Sequence, residues 1–257
     1  MESIVSGDVC FHLKTRKGDI GRYVILPGDP GRVPKIAGKL DGAKLIASNR
    51  EYTVYTGYLD GEKVSVCSTG IGGPSAAIAV EELVMCGADT FIRVGTSGGD
   101  LLIASAAIRS EGTSHEYIPD DYPAVANFDV VCALKASADE LSTDEDGNRA
   151  HVGVVHSKDN FYGEIDPRNT AVPEKLTNAW AGYLKCGCLT SEMEAAAIFS
   201  VALLRGVRAG AVLTALWNVE RTNAGLPDKR CESSERAINC AVGAIRRLIE
   251  NDKKEHR

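Results

Sequence analysis

Three glycine-rich turns, each directly after a short apolar run typical of a buried strand, constrain the fold of this chain more than any other feature. The turns span residues 27–31, 69–73 and 95–99. Glycine at a strand end lets backbone N–H groups face a ligand with no side chain in the way. Because strand-like and helix-like runs alternate along the chain, the pattern predicts one α/β domain over residues 1–257, with a mixed or largely parallel central sheet. Ligands in such sheets bind beyond the strand ends, and the residues expected to converge there are Gly28, Gly70, Gly95 and Asn218.

Hydrophobic periodicity and turn residues divide the chain further. Predicted strands cover residues 22–27, 44–47, 53–60, 63–68, 90–94, 101–108, 151–156 and 209–216. Predicted helices cover residues 30–40, 76–85, 128–141, 170–184, 191–204 and 232–249. Residues 113–127 are predicted to be irregular. Asp29 is expected to cap the first helix, and Asp60-Gly61 to form a hairpin turn.

Composition disfavours several classes of protein. The chain has 257 residues, 44% of them hydrophobic, and a formal net charge of -6 without any basic run, so we expect no nucleic-acid partner. We expect no membrane partner either, because no apolar run is long enough to span a bilayer, and the N-terminus does not resemble a signal peptide. The eight cysteines are scattered. With Cys67, Cys86 and Cys240 in apolar patterns, they suit reduced core residues of a cytoplasmic protein.

Three arginines next to these turns suit the binding of an anion. Arg32 and Arg93 lie beside glycine-rich strand ends, and Arg50 follows a predicted strand. With Gly28 and Thr96, they have the forked guanidinium donors and backbone amides that hold phosphate or sulfate. The anion is expected to be small, because no Gly-Lys-Ser/Thr phosphate loop occurs and the third turn does not lead into a helix as a dinucleotide fingerprint would. The alternative left open by the pattern is three ordinary turns with solvated arginines.

The segment Ser191-Glu192-Met193-Glu194 allows two interpretations. Ser191 and Glu194 have the spacing of a capping box at a helix start, and the pattern alone favours this one. In the other interpretation, Glu194 accepts hydrogen bonds from a diol such as ribose. No Ser-His-Asp or Cys-His arrangement stands out, and no two carboxylates are spaced persuasively for glycoside hydrolysis.

Five stretches of the sequence, taken together, are highly specific for one family of proteins, although no single stretch would be. They are Pro27-Gly28-Asp29-Pro30-Gly31-Arg32, Asn49-Arg50-Glu51-Tyr52-Thr53, Cys67-Ser68-Thr69-Gly70-Ile71-Gly72-Gly73-Pro74-Ser75, Arg93-Val94-Gly95-Thr96-Ser97-Gly98 and Glu192-Met193-Glu194. In this order the chain resembles the hexameric nucleoside phosphorylases, and within that family it looks most like the uridine phosphorylases. The resemblance runs from Phe11-His12-Leu13 to the last helix. One difference is that Gly99-Asp100 joins motifs that the family separates by a longer loop.

The resemblance implies a mixed central sheet with a small distorted barrel, flanked by helices. It also implies a homo-oligomer, a hexamer built as a trimer of dimers, with sites shared between subunits. The implied reaction is reversible phosphorolysis, in which a nucleoside and phosphate give a free base and ribose 1-phosphate. Phosphate attacks C1′ of a ribosyl group that has oxocarbenium character. No cofactor is implied, and inorganic phosphate is the co-substrate.

The resemblance also assigns roles to individual residues. The phosphate residues are Gly28, Arg32, Arg93 and Thr96, joined by Arg50 from a neighbouring subunit. The ribose residues are Met193, Glu194 and, from the neighbouring subunit, His12. The residues for the base are Phe161, Arg168 and Arg221. Glu51, Ile71 and Ser75 match positions that hold potassium at the dimer interface in some uridine phosphorylases.

Two departures from the family pattern leave the identity of the base open. Uridine phosphorylases carry Gly-Gln-x-Arg just after a Phe-Tyr pair, whereas this chain has Gly163-Glu164, with Arg168 displaced by one in an ungapped alignment. Purine enzymes of the fold place Asp after the late strand, where this chain has Asn218. Uridine is the predicted substrate, and a purine nucleoside phosphorylase is the alternative. The three arginines disfavour a nucleosidase that uses water, and a catalytically silent nucleoside sensor would lack phosphate-dependent turnover.

Overall fold

The computed structural model describes residues 9–97, 100–141, 149–215, 218–227 and 233–255. The strands in these ranges are β1 (Tyr23–Pro27), β2 (Asp41–Asn49), β3 (Tyr52–Leu59), β4 (Glu62–Cys67), β5 (Thr90–Ser97), β6 (Leu101–Ser110), β7 (Ala124–Val125), β8 (Ala150–Lys158), β9 (Thr190–Glu192) and β10 (Arg208–Ala215). The helices are α1 (Val33–Ala37), α2 (Gly73–Met85), α3 (Thr113–Tyr117), α4 (Phe128–Glu140), α5 (Phe161–Ile165), α6 (Pro173–Lys185), α7 (Ala195–Arg205), α8 (Val219–Asn223) and α9 (Glu235–Glu255). Single 3₁₀ turns lie at Pro30–Arg32 and Pro167–Asn169.

The described strands belong to one mixed sheet with the order β2-β3-β4-β1-β5-β10-β6-β8-β9, and β7 pairs with β6. Strand β1 runs parallel to β4 and β5, β5 to β10, β8 to β6, and β9 to β8. The pairs β2–β3, β3–β4, β6–β7 and β6–β10 are antiparallel. The predicted mixed sheet flanked by helices is confirmed. Within the described ranges the sheet stays open, so they do not show the small barrel that the resemblance implies.

Two hydrophobic cores lie on the two faces of the sheet. In β5, Phe91 packs into one core, whereas Ile92 and Val94 pack into the other, because successive side chains of a strand point to opposite faces. Helices α2 and α7 cover the first face, and α4 and α9 cover the second. The central strands are therefore buried on both sides, and packing fixes the positions of their carboxyl ends.

The first predicted helix is shorter than its pattern indicates. Asp29 accepts a hydrogen bond from Gly31 N, as expected of a cap. A 3₁₀ turn then leads into α1, which ends at Ala37. After α1 the chain forms a tight turn in which Leu40 N donates to Ala37 O. Strand β2 begins directly after this turn.

The segment predicted to be irregular, residues 113–127, contains α3 and β7. The guanidinium group of Arg109 organises it by donating to the backbone carbonyls of Ser114, Pro119 and Tyr122. Such hydrogen bonds from a neighbouring strand leave no periodic signal in the segment itself, so local patterns could not predict its structure.

Other expectations concern thiols and membranes. The cysteines of the described residues are free, and Cys67, Cys86 and Cys240 are buried as predicted. No described helix is long and apolar enough to cross a membrane. The short junction at Gly99 lies outside the described residues.

Candidate active site at the strand ends

A cavity of about 970 Å³ opens at the carboxyl ends of the central strands. Gly28 follows β1, Gly70 comes after β4, Gly95 lies near the end of β5, and Asn218 comes after β10. Residues at all four positions line the cavity, so the predicted convergence is confirmed. A cavity of this size suits a small organic ligand together with a second reactant.

Two of the cavity glycines are required by the close approach of their neighbours. Gly70 has a φ of +71°, and a Cβ there would lie 2.8 Å from Cγ of Glu51. A Cβ on Gly95 would lie 2.5 Å from Cδ2 of Leu213 and 3.1 Å from Nη2 of Arg93. A larger residue at either position would displace side chains that form the cavity wall.

Arg93, on β5, is almost completely buried in that wall, with 4% of its surface exposed. Its Nε donates to Oε2 of Glu192 at 3.0 Å, and its Nη2 pairs with a carboxylate oxygen of Glu194. We call these three residues the arginine cluster. The buried Nη1 of Arg93 has no hydrogen-bond partner among the described residues. Because leaving a buried donor unpaired is costly, this atom indicates a ligand that accepts a hydrogen bond.

Glu192 orients the arginine cluster, and the sequence analysis gave it no role of its own. Its Oε2 accepts hydrogen bonds from the backbone N–H groups of Glu194 and Ala195, each at 2.8 Å. Its Oε1 accepts from the hydroxyl of Ser157. One carboxylate therefore caps the start of α7 and fixes the guanidinium of Arg93. A carboxylate just ahead of a helical run was the only local signal for this role.

The capping box predicted for Ser191 and Glu194 is wrong. Helix α7 begins only after Glu194, which makes no side-chain capping bond, and the hydroxyl of Ser191 is bonded to Glu164 instead. The Glu194 carboxylate lines the cavity and accepts from Gly72 N at 2.7 Å. Burial raises the pKa of this carboxyl, although the charge of Arg93 acts in the opposite direction. The Glu194 carboxylate thus faces the cavity, and its role toward a diol stays a prediction.

Arg32 lies in the same part of the cavity, which Thr96 and Met193 also line. Its Nε is 3.9 Å from Oδ2 of Asp29. Burial lowers the pKa of Arg32, and the positive charge of Arg93 acts in the same direction. Two guanidinium groups close enough to repel each other favour the binding of an anion beside them.

A second polar group in the cavity contains Lys158, to which the sequence analysis gave no role. Lys158, at the end of β8, contacts Glu164 of α5, and its Nζ lies 2.7 Å from Oγ of Ser191 in β9. The Ser191 Oγ lies 2.5 Å from Oε1 of Glu164. We call Lys158, Glu164 and Ser191 the lysine cluster. The Lys158 Nζ is also 5.7 Å from the ring centre of Phe161, so the predicted base residue Phe161 lies beside this cluster.

Glu164 is held in its ionised form by its surroundings. Burial opposes ionisation, but the neighbouring His156 ring, the charge of Lys158 and the hydrogen bonds from Lys158 and Ser191 outweigh it. Together they lower the pKa of the Glu164 carboxyl to about 2. At neutral pH this residue can therefore only accept hydrogen bonds.

Arg168 and Arg221, predicted for the base, are not brought to the cavity. The Arg168 side chain is 89% exposed, and its Nε lies 2.8 Å from Oδ1 of Asp166. Arg221 is exposed, and its Nε donates to Pro227 O. The structure therefore gives neither arginine a contact with the cavity.

Arg50 and His12 also lie outside the cavity of their own chain. Arg50 is exposed and has a φ of +54°, a backbone region that residues other than glycine rarely adopt. His12 Nδ1 lies 2.7 Å from Oε1 of Glu82, and Nδ2 of Asn49 donates to His12 O. The side chain of Asn49, the residue before Arg50, therefore links the Arg50 turn to His12. The structure of one chain therefore brings neither residue to the cavity, and the roles implied for them stay predictions.

The three residues implied for potassium lie around Gly70. Glu51 and Ile71 line the cavity, and Oγ of Ser75 is 3.3 Å from Ile71 O. Carboxylate, hydroxyl and carbonyl oxygens are ligands that hard cations prefer. The described ranges contain no group of three or more His, Cys, Asp or Glu side chains that could hold a metal ion.

Comparison with known proteins covers nearly the whole chain. Residues 22–250 match the family model described as the phosphorylase superfamily. The uridine phosphorylase of Treponema pallidum is 48% identical over 98% of this chain and 99% of its own length. The uridine phosphorylase of Thermococcus kodakarensis is 42% identical over 96% of this chain and 89% of its own length. The guanosine phosphorylase of Halorubrum lacusprofundi is 39% identical over 92% of this chain and 98% of its own length.

Proposed function

This chain belongs to the phosphorylase superfamily, and on that premise we propose that it is a pentosyltransferase that catalyses the reversible phosphorolysis of nucleosides, with uridine preferred. The products are the free base and ribose 1-phosphate. The relatives named uridine phosphorylase, which align with nearly the full chain, support this activity and this preference.

The structural observation that carries the proposal is the buried, unpartnered Nη1 of Arg93. Arg32, Thr96 and Gly28 line the same cavity, so a phosphate there would receive charge-assisted hydrogen bonds from two guanidinium groups. Holding phosphate beside C1′ makes the step effectively unimolecular. The negative charge of phosphate also stabilises the positive charge that develops on the ribosyl group as the bond to the base lengthens.

We assign the ribose to Glu194 and Met193 in this cavity, and to His12 from a neighbouring subunit. The orientation of Glu194 is fixed by the N–H of Gly72 and by Arg93. An oriented carboxylate can accept hydrogen bonds from both hydroxyls of a ribose diol. The ribose is thereby held against the phosphate, which is what the reaction geometry needs.

Charge balance supports a contribution from a second subunit. Arg32 and Arg93 are already matched in number by Glu192 and Glu194, and Asp29, 3.9 Å from Arg32, adds a further negative charge to this part of the cavity. A phosphate dianion needs a further cation there, and Arg50 from a neighbouring subunit is our assignment. The exposed turn that carries Arg50 is suited to reach another chain. We propose a homohexamer, assembled as a trimer of dimers.

Guanosine is the second candidate substrate, because the relative named guanosine phosphorylase is 39% identical. The Gly-Gln-x-Arg element that reads uracil is absent, which keeps a purine possible. Against it stands Asn218, which lines the cavity and cannot donate a carboxylic proton to a purine ring as Asp could. Uridine therefore remains our first choice.

Further properties follow from the same assignment. Inorganic phosphate is the co-substrate, and no cofactor is required. Potassium held by Glu51, Ile71 and Ser75 is a proposal supported by their clustering around Gly70. We propose one domain over residues 1–257, a cytoplasmic location and a role in pyrimidine salvage, with neither nucleic acid nor membrane as a partner.

The test is base release followed by ultraviolet absorbance, with uridine, guanosine and inosine each measured with and without phosphate. We expect cleavage of uridine only when phosphate is present. Phosphate-dependent cleavage of guanosine or inosine alone would move the enzyme to the purine branch. Cleavage without phosphate would indicate a nucleosidase and contradict the proposal, as would the absence of any phosphate-dependent cleavage.

A further inference from the structure

The lysine cluster has no role in the function proposed so far, yet its three residues line the cavity together with Phe161. Lys158 is only 9% exposed, and the side chain of Glu164 is 18% exposed. The two residues come from β8 and α5, and Ser191 of β9 bridges them. Three separate elements therefore converge on one largely buried ion pair in the wall of the substrate cavity.

The lysine cluster retains unused hydrogen-bonding capacity. The ammonium group of Lys158 has three N–H donors, and the contacts to Glu164 and Ser191 occupy two of them. A carboxylate offers about four acceptor positions, and one hydrogen bond reaches each oxygen of Glu164. The pair can thus donate one more hydrogen bond and accept another at adjacent side chains.

We propose that Lys158 and Glu164 recognise the base by its lactam edge, a ring N–H next to a carbonyl oxygen. Glu164 accepts a hydrogen bond from the ring N–H, and Lys158 donates one to the carbonyl oxygen. This inference rests on the proposed function, because it assigns the base-reading groups of the same cavity. Uracil, hypoxanthine and guanine share this edge, so it accommodates both candidate substrates.

The same pair rejects bases with the opposite edge. Cytosine and adenine present a ring nitrogen acceptor next to an amino donor. Against these bases, the Glu164 carboxylate would face a lone pair and the Lys158 ammonium would face N–H groups. Both charged groups would be left unpaired in a largely buried place, which is how a site built for hydrogen bonds rejects an analogue.

Lys158 also has a role in the bond-breaking step. As the bond between C1′ and the base nitrogen breaks, its electron pair stays on the base, and a phosphate oxygen forms the new bond to C1′. The negative charge of the departing base is shared with its carbonyl oxygen, where the Lys158 ammonium stabilises it. The base anion takes a proton from solvent after release.

The alternative is that the lysine cluster has only a structural role and stabilises the packing of α5 against β8 and β9. A buried ion pair of this kind can be purely structural, and removing one partner would then lower stability without changing which base is accepted. The two roles differ in the ratio of kcat/KM for uridine to that for cytidine. A purely structural role predicts no change in this ratio.

The experiment compares wild type, Glu164→Gln, Lys158→Met and Ser191→Ala with uridine, 3-methyluridine and cytidine at saturating phosphate. In wild type we expect kcat/KM for 3-methyluridine, which lacks the ring N–H, and for cytidine to be at least about 100-fold lower than for uridine.

Glu164→Gln can turn its amide N–H₂ toward cytosine, so the ratio of kcat/KM for uridine to that for cytidine should fall about tenfold or more. Lys158→Met should lower kcat for uridine about 10- to 100-fold, because the leaving base loses its cation. Lys135→Met, which removes a lysine from an exposed ion pair on α4, is the matched control and should change neither value.

The outcomes separate this inference from the proposed function. If wild type cleaves uridine while all three variants keep the wild-type ratio and kcat, the inference is overturned and the proposed function stands. Calorimetric binding of free uracil, 3-methyluracil and cytosine supplies a readout that does not need turnover. Uracil binding that is selective in wild type and loses its selectivity in Glu164→Gln supports the inference even if no phosphorolysis occurs. Equal binding of the three bases by wild type overturns it. Thermal unfolding of each variant checks that it is folded. If Glu164→Gln or Lys158→Met does not fold, Ser191→Ala replaces it in the comparison, because this variant keeps both charges.

Discussion

The arginine cluster and the lysine cluster line one cavity, but the net pKa shifts of their buried carboxylates have opposite directions. Burial raises the pKa of Glu194, whereas the surroundings of Glu164 lower its pKa to about 2. Glu194 shares the cation Arg93 with a second carboxylate, Glu192. Glu164 has a lysine and a hydroxyl donor of its own. At Glu194, burial and the neighbouring charge of Glu192 outweigh Arg93, whereas at Glu164 the interactions with His156, Lys158 and Ser191 outweigh burial. The charges around each carboxylate therefore decide the direction of the net pKa shift.

The difference suits two kinds of ligand. In the arginine cluster one guanidinium nitrogen remains free among the described residues, so the cluster is incomplete until an acceptor arrives. The lysine cluster is already internally paired, and it presents fixed charges to a neutral ligand. We infer that the first cluster is built to bind a charged reactant, and the second to select a neutral one.

The largest expected effect is that of Arg93→Met. Removing the guanidinium should lower kcat/KM for phosphorolysis about 10³-fold or more, because the phosphate loses its principal donor. It should also lower the free energy of unfolding at pH 7 by about 3–5 kcal/mol, since Glu192 and Glu194 remain buried without their cation. Steady-state kinetics and urea unfolding measure the two effects.

Arg93→Lys separates charge from geometry at this position. The ammonium restores a positive charge but not the fork that contacts two carboxylates and a ligand. We expect most of the stability to return while activity stays low. Near-normal turnover in either Arg93 variant would break the comparison, because phosphate would then bind elsewhere.

The next effect in size is that of Glu194→Gln. Activity should fall about 100-fold, because the ribose hydroxyls lose a charged acceptor. Stability at pH 7 should be unchanged or higher. A raised folded pKa means that the stability contributed by the protonated form is present below the usual value of 4.5. That contribution is lost as pH rises through the folded pKa, and a neutral amide avoids this loss.

Glu192→Gln is the matched control for Glu194→Gln. Glu192 accepts from Arg93, from Ser157 and from two backbone N–H groups, so its amide variant should be clearly less stable than wild type at pH 7. Thermal unfolding at pH 7 and pH 4.5 checks both variants. Equal losses of stability in the two would show that Glu194 is structural and not held for a ligand.

At the lysine cluster we expect a smaller effect on stability. Its sign is opposite to that of Glu194→Gln, because here the amide variant should be less stable than wild type. A carboxylate whose pKa falls from 4.5 to about 2 on folding stabilises the protein above pH 4.5, and this contribution is lost as pH falls through 2. Glu164→Gln should therefore lower the free energy of unfolding by about 1–3 kcal/mol at pH 7, with the difference disappearing near pH 2. Chemical unfolding across this range measures it. The control is Glu250→Gln, in an exposed pair with Lys254, which should change stability little at any pH.

In the arginine cluster, the position of Arg93 was predictable, because the strand end that carries it lies in one contiguous motif. Arg93 and Thr96 belong to one strand whose apolar run and glycine end are visible in the sequence. Buried strands at the centre of the sheet give strong signals, and their carboxyl ends must meet at one edge. A strand-end arginine beside glycines could therefore be placed without coordinates.

The other assignments depended on contacts between distant parts of the chain. Glu194 is bonded to Gly72, 122 residues away, so a local capping pattern predicted the wrong partner. In the lysine cluster, Glu164 meets Ser191 across 27 residues and through the pairing of β8 with β9. No spacing rule links a lysine at one strand end to a carboxylate in a short helix. Only the missing glutamine pointed to position 164.

The smallest effect is expected for Arg168→Ala, and it tests whether the lysine cluster reads the base without help. The Arg168 side chain is exposed and paired with Asp166, and exposed ion pairs of this kind contribute little. We expect kcat/KM for uridine to stay within about twofold of wild type, and the same for Arg221→Ala, whose side chain contacts only a nearby carbonyl in the described residues. A tenfold loss in Arg168→Ala would mean that the chain after α5 rearranges around the substrate and delivers a second cation. A cation that moves to the cavity with the substrate would then help to recognise the base. The contrast between an arginine cluster with an unpaired donor and a lysine cluster that is paired before the ligand binds would no longer hold.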